Sequence, residues 1–451
     1  MSAPRISLCM IARDEEVDLL ECLRSAAGAY DEAIVVDTGS RDGTRGAARA
    51  AGARVVEFAW IDDFAAARNR ALEEASGDWI LVLDADERLG PGGAAAVRRA
   101  VSRPGRAGYR LRIESDVGGG AMQRVSIVRL FRRDPNVRYE RRIHESVNRP
   151  LVALARRRGE TIEELPVVVA HSGYRPERFA ALRKRERNLR LHRLTVAERP
   201  SDAYAWYRYG DELRALDRAG ARAALERSLA ILEATPKAER GEHVYGGEVA
   251  ALLAFVLSEE GAVDEALAMT ERGLASLPVT PNLLYARACM LERAGRTAEA
   301  FRAFEELRSL RVEDFETPAQ SGLVPVLAPL GAGRALEALG DLDRAADRFA
   351  DALREQPKLA VAALARARVL ARRGRAAEAR RTLDDYLRLV PNDGAAWAAS
   401  GRLALEAGAL DVAAKRLAIA ASAKDAPEDV KADLARARGV AKAPGRPGDR
   451  D

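Results

Sequence analysis

The chain predicts an α/β domain followed by an all-α repeat array, and three observations lead there. Up to about residue 113, short β-branched or apolar runs alternate with amphipathic helical patterns, the mark of a mostly parallel sheet covered by helices. Beyond Pro200, helix-turn-helix units recur at a fixed spacing. Of the 451 residues 48% are apolar but only 5% aromatic, so the core is built mainly from Ala, Leu and Val, which suits closely packed helices. The length calls for about two or three domains.

In order, strands are expected at Ile6 to Ile11, Ala33 to Val36, Arg54 to Glu57, Trp79 to Leu83 and Gly108 to Ile113. Helices are expected near Glu15 to Ala27, Thr44 to Ala51, Phe64 to Ala75 and Gly93 to Val101. Gly28, Gly52 and Gly77 stand at helix ends, where a left-handed residue is wanted. From Gly108 to about His171 the pattern is irregular and strand-rich, with the Gly118-Gly119-Gly120 break, a basic run from Arg129 to Arg142 and an apolar run from Ile162 to Ala170. After Pro176 an Arg-rich helix, Glu177 to Ala197, leads onward.

The second part repeats itself. Gly261 and Gly295 are 34 residues apart, as are Gly340, Gly374 and Gly408; Ala345, Ala379 and Ala413 keep the step, and so do Pro357 and Pro391. This is the tetratricopeptide period: the Gly turns between two helices, the Ala lies where they cross closely, and the Pro ends the unit. Units are placed at about 203–236, 246–279, 280–313, 326–358, 360–391 and 394–427, with Val312 to Val324 as an inserted loop. The expected division is 1–175 for the α/β domain, 176–199 for a linking helix, 200–427 for about six repeats, and a disordered tail over 428–451, whose first residues are a fraying helix.

Net charge is +5, from 73 basic and 68 acidic residues, which argues against a nucleic-acid footprint. Cys9, Cys22 and Cys289 have no metal-ligand spacing, so they are expected to be buried small hydrophobes in a reducing, cytoplasmic setting. Met1 to Arg5 shows no secretory leader. Apolar stretches such as Val249 to Leu257 fall short of the roughly 20 residues that span a bilayer, leaving room only for peripheral contact with a membrane.

Chemistry concentrates at two strand ends. Ala33-Ile34-Val35-Val36-Asp37-Thr38-Gly39-Ser40-Arg41-Asp42-Gly43-Thr44 is a buried strand ending in a carboxylate and a small-residue turn that opens a helix. Ligands of open α/β sheets bind at such ends, so Asp37 either meets a nucleobase or ribose, or caps its own turn with Ser40 and Asp42. In Trp79-Ile80-Leu81-Val82-Leu83-Asp84-Ala85-Asp86-Glu87, strand alternation puts Asp84 and Asp86 on one side. Hard carboxylate oxygens there suit a divalent cation that bridges a diphosphate; a solvated acidic turn is the plain alternative.

The run from Ile6-Ser7-Leu8-Cys9-Met10-Ile11-Ala12-Arg13-Asp14-Glu15-Glu16, through Val35 to Thr44 and Trp60-Ile61-Asp62-Asp63-Phe64-Ala65-Ala66-Ala67-Arg68-Asn69, to Asp84-Ala85-Asp86-Glu87 closely resembles family 2 glycosyltransferases of the GT-A (Rossmann-like nucleotide-diphospho-sugar transferase) fold. The likeness is dense over about the first 90 residues. It resembles in particular a bacterial branch in which tetratricopeptide repeats follow the catalytic domain, a branch that includes peptide S-glycosyltransferases of bacteriocin clusters. Arg141-Arg142-Ile143-His144-Glu145 and Ala170-His171-Ser172-Gly173-Tyr174 are similar to its later motifs.

The resemblance implies roles. Backbone at Ala12 and Arg13, with Asp37, would hold the nucleobase; Arg68 would lie near the diphosphate; Asp84 would contact the ribose and Asp86 the metal, Mn²⁺ or Mg²⁺. Thr38 follows Asp37 where many relatives have a second acid. An inverting transfer needs a group that takes the acceptor proton, for which Glu145 is the first candidate and His144 the second. His171 would be a late metal or diphosphate ligand, since imidazole suits Mn²⁺ better than Mg²⁺. An ordinary surface ion pair is the plain reading of His144 and Glu145, and a hydrogen-bonded core histidine that of His171.

The expected activity is transfer of a hexose from a nucleoside diphosphate sugar to an acceptor, favoured as a protein or peptide held partly in the repeat groove. A lipid-linked or polysaccharide acceptor is the second choice. The rival from another class is a non-catalytic scaffold with a degenerate transferase domain. A nucleotidyltransferase would want a Gly-rich phosphate loop near the first strand, and none is there. The basic residues Arg124, Arg129, Arg132, Arg133, Arg138, Arg141 and Arg142, with Arg156 to Arg158 and Arg183 to Arg190, are expected to be largely solvated, with one or two on a ligand.

Overall fold

The computed structural model describes residues 3–116, 122–171, 178–236, 240, 243–311, 315 and 322–439. Two compact units divide at Ala234/Thr235.

The first unit is built on one sheet in the order β3-β2-β1-β4-β7-β6-β8-β5. Its strands are β1 Ile6–Ala12, β2 Glu32–Asp37, β3 Arg54–Glu57, β4 Trp79–Val82, β5 Glu87–Leu89, β6 Arg106–Asp116, β7 Met122–Arg132 and β8 Thr161–His171. The first four are parallel to one another. β7 then runs antiparallel to β4 and β6, while β8 is parallel to β6 and antiparallel to β5. Helices are α1 Glu16–Ser25, α2 Thr44–Ala50, α3 Phe64–Glu74, α4 Gly93–Val101, α5 Asn148–Arg158, α6 Arg178–Glu198, α7 Ala203–Leu213 and α8 Arg218–Ala234.

Alternation along the strands sorts the apolar side chains to two faces, each with its own helices. Leu8, Met10, Val35 and Leu81 pack with Leu19 and Leu23 of α1 and Val97 of α4. Cys9, Ile34, Val36, Ile80 and Val82 pack with Ala67 and Ala71 of α3 and Leu151 and Leu154 of α5. Both faces are dry, so the strand ends and the loops beyond them are where polar groups can gather.

The expected strands and helices of the first 113 residues are present, within a residue or two at most ends. Not expected were β5, directly after the acidic string, and β7 and α5 within the irregular stretch. The Gly118 to Gly120 break, Ser172 to Tyr174 and most of Val312 to Val324 lie outside the described residues. The division at Ala234/Thr235 groups α7 and α8, expected as the first repeat, with the sheet unit. The expected tail from 428 contains a helix, described below.

The second unit consists of helix pairs: α9 Gly246–Glu259 with α10 Val263–Ser276, α11 Pro281–Arg293 with α12 Thr297–Arg308, α13 Ala328–Ala338 with α14 Leu342–Glu355, α15 Ala360–Arg372 with α16 Ala376–Leu389, and α17 Gly394–Glu406 with α18 Leu410–Ser422. A single π turn, Leu323–Leu327, precedes α13. Gly261, Gly295, Gly340, Gly374 and Gly408 all have φ between 71° and 87°, and the residue after each returns its N–H to a carbonyl five positions back, as in Arg375 N to Leu370 O at 2.9 Å. That bond requires the left-handed residue which Gly supplies without strain. Ala345, Ala379 and Ala413 are fully buried, where a larger side chain would push the paired helices apart. Ion pairs such as Arg334–Glu292 at 2.7 Å and Arg368–Glu337 at 2.8 Å link neighbouring pairs, but partly exposed pairs contribute only about 0–1 kcal/mol each. Stacking therefore rests on the Ala and Leu core.

α19, Val430–Ala437, packs Val430 and Ala437 against Leu417 and Ala420, and Arg402 reaches its Asp433 at 2.5 Å. These residues cover the apolar side of the last pair, as a terminal repeat needs. The helix stands where a fraying helix was expected, and Val430, Asp433 and Ala437 are its buried residues.

Candidate active site

The residues singled out at strand ends fall into three groups, each placed by a different part of the sheet. The first lies beyond β1 and β2. Ala12 O accepts from Thr38 N at 3.0 Å, tying the two strand ends together. Asp37 is only 1% exposed, and its Oδ1 accepts from the backbone N–H groups of Gly39 and Ser40 at 3.2 and 3.1 Å. Of its two readings, the turn is the one this geometry displays. Arg13 is exposed, with Asp14 3.9 Å away. Burial, together with the carboxylates of Asp86, Asp18, Asp42 and Asp14, pushes the nearby Glu15 up to about 7.

The second group follows β4. Asp84 Oδ1 accepts from Arg68 Nη2 at 2.7 Å, and Oδ2 from Arg129 Nη2 at 2.9 Å. The same Arg129 nitrogen reaches Glu87 Oε1 at 2.5 Å, while Glu87 Oε2 accepts from Asp84 N at 2.9 Å. Arg68 Nε donates to Glu145 Oε1 at 2.6 Å. Two arginines thus hold three carboxylates, with Glu87 and Arg129 almost completely buried. Burial by itself would raise the Asp84 carboxyl, but Arg68 and Arg129 outweigh it and hold the group well below the usual carboxylate range. For Glu87, burial wins and the pKa is raised. Arg68 is a buried brace between Asp84 and Glu145, 8% exposed, with Nη1 lacking a hydrogen-bond partner among the described residues.

The third group depends on the far edge of the sheet. Antiparallel pairing of β5 with β8 sets Glu87 opposite His171, and parallel pairing of β6 with β8 sets Ser115 beside it. His171 Nε2 lies 3.1 Å from Asp86 Oδ2, and its Nδ1 lies 3.0 Å from Ser115 Oγ. The hydrogen bond with Asp86 raises the His171 pKa. About 30% of each side chain is exposed. Asp84 and Asp86 do not act as one pair: the strand ends at Val82, so alternation lapses, and Asp84 turns to the arginines while Asp86 turns to His171.

His144 and Glu145 also part company. Glu145 joins the Arg68 brace, whereas the His144 ring lies 5.3 Å from that of His192 on α6. Burial, then Arg208, His192 and Arg141, lowers the His144 pKa to about 3. Most of the basic run is occupied internally: Arg141 on Asp202, Arg142 on Glu198, Arg158 on Asp134 and Arg124 on Glu114. The cysteines are buried and unpaired, and burial pushes the Cys22 thiol up to about 12. Sequence reading gave no role to Glu87, Ser115, Asp202 or Glu198. The only signal for Glu87 was its place in the acidic string.

Residues 7–156 match Glycosyl transferase family 2, and residues 336–403 match Tetratricopeptide repeat. The chain is 41% identical over 209 residues to a TPR repeat-containing protein of Synechococcus elongatus, covering 46% of this chain and 51% of that one. It is 26% identical over 228 residues to the SPbeta prophage-derived glycosyltransferase SunS of Bacillus subtilis, covering 48% and 50%. It is 34% identical over 85 residues to an uncharacterized glycosyltransferase of Rickettsia typhi, covering 19% and 29%. The chain spans about half the length of the first two relatives. No helix among the described residues is long and apolar enough to cross a membrane. With its sheet, strand-end acids and 34-residue repeats, this chain carries a family 2 glycosyltransferase domain followed by tetratricopeptide repeats.

Proposed function

We propose that the chain transfers a sugar from a nucleoside diphosphate donor to a protein or peptide acceptor, with inversion and with a divalent cation. The observation that carries this reading is the Asp86–His171 pair, 3.1 Å apart and partly exposed, beside the buried brace of Arg68, Arg129, Asp84, Glu87 and Glu145. That two relatives bear the name glycosyltransferase supports it.

The donor set fits a cation that shares its coordination with a diphosphate. Asp86 supplies a hard oxygen and His171 an imidazole nitrogen, while Ser115 on the other ring nitrogen holds the ring in orientation. A cation held by these two side chains would take its remaining ligands from phosphate oxygens and water. When bound, the cation would offset charge developing on the departing diphosphate.

The protein's own residues do the rest. Arg68 and Arg129 keep Asp84 ionised and fixed, so that it can accept from a donor hydroxyl. Arg68 occupies Glu145 Oε1, and Oε2 is the oxygen we assign to the acceptor proton. The repeats would hold an extended acceptor.

Thermal shift against uridine, guanosine and thymidine diphosphate sugars, with and without Mn²⁺, tests the reading. Stabilisation by one nucleotide class that needs Mn²⁺ and vanishes in Asp86→Asn is expected. If none of these donors shifts or is slowly hydrolysed by the protein, the scaffold reading takes its place.

A further inference from the structure

The loop carrying Glu145 cannot hold its shape alone. Glu140 and Ser146 close its base through backbone bonds of 3.1 and 3.2 Å. Between them Arg141 and His144 have φ of 75° and 53°, left-handed conformations that strain a non-glycine residue and persist only where surroundings enforce them.

The enforcement comes from the helical segment. Arg141 Nε donates to Asp202 Oδ2 at 2.7 Å, and its guanidinium lies 4.8 Å from the centre of the Tyr204 ring. Arg142 makes a two-pronged pair with Glu198 at 2.9 and 2.6 Å; its Nη1 also donates to Ile61 O and Asp62 O. His144 lies against His192. Asp202 also caps α7, its Oδ1 accepting from Ala205 N at 3.1 Å. One carboxylate sets both the start of the first repeat helix and the seat of the loop, while Glu145, three residues on from Arg142, is braced by Arg68.

We infer that Asp202, with Glu198, is a positioning residue for Glu145, and that α6 and α7 are a working part of the transferase unit. The functional consequence rests on the role assigned above to Glu145. The placement of the loop does not.

Asp202→Asn in the full chain separates capping from loop seating, because an amide oxygen caps a helix about as well as a carboxylate but leaves the Arg141 charge unmatched. Amide hydrogen exchange at residues 141–146 should speed up about tenfold or more, with Ala205 still protected and Asp202→Glu restoring the loop. Hydrolysis of uridine diphosphate glucose with Mn²⁺ should lose about tenfold or more in kcat with KM nearly unchanged. Unaltered exchange across 141–146 overturns the positioning. If the loop loosens while Glu145→Gln hydrolyses the donor as fast as the parent, the positioning stands and the assignment of Glu145 falls.

Discussion

His192 makes the first unit sensitive to mild acid, by an amount that can be worked out. The side chain is 1% exposed; it lies between His144 and Tyr209 with ring centres at 5.3 and 6.1 Å, and its Nε2 has no partner among the described residues. Burial, and after it the Arg208 charge, lowers its pKa from 6.5 to about 4. The groups facing it are His144, Arg208 and the Tyr209 ring, with Arg141 beyond His144, and among the described residues burial and the Arg208 charge are what a proton placed there meets.

Because the folded pKa lies below the unfolded one, the unfolded chain binds the proton better. The contribution to stability is complete above about 6.5 and drains away as pH falls toward 4. At pH 5 the loss is about 2 kcal/mol for this one residue. Glu15, raised to about 7, works in the opposite direction over the same range, so the difference between variant and parent is the quantity to read.

His192→Phe keeps an aromatic ring between its neighbours and cannot take a proton. Trp60, Trp79 and Trp206 lie in the first unit and Trp397 in the second, so urea unfolding followed by fluorescence in a Trp397→Phe background isolates the first unit, avoiding a two-unit transition. Between pH 7 and pH 5 the variant should gain about 2 kcal/mol on the parent. A gap between them that stays constant over that range refutes the argument.

Arg129→Met should destabilise the first unit by about 3–5 kcal/mol, because Glu87 is left buried without its partner; the same urea titration measures it, and a loss under about 1 kcal/mol would mean the brace is dispensable. Gly333→Ala puts a methyl carbon 2.6 Å from the Phe349 ring and should cost the second unit about 1–3 kcal/mol, read from the Trp397 transition. Glu145→Gln should slow donor hydrolysis in kcat far more than it weakens donor binding; a selective loss of binding would move Glu145 into the donor pocket.

What could be read from the chain alone was whatever is local or periodic. The parallel strands show as apolar runs with turn residues at both ends, since each is buried on two faces. The repeats show as Gly261, Gly295, Gly340, Gly374 and Gly408, since each turn needs the same left-handed residue. The candidate site was legible at Asp84, Asp86, Glu145 and His171 as separate acids and an imidazole near strand ends. Their partnerships were not. β5 is three residues long, below the length at which alternation can be recognised, yet it is the strand that brings Asp86 beside His171.

Tertiary structure decided who faces whom. Sheet order put β8 next to β5 and β7 next to β4, which gave His171 to Asp86 and Arg129 to Asp84. Asp202 drew no notice and Arg141 looked like a solvated charge until the fold set them 2.7 Å apart. Secondary structure follows from spacing within a few residues, whereas an ion pair between positions 61 residues apart depends on the whole path of the chain between them, and nothing in the local pattern records that path.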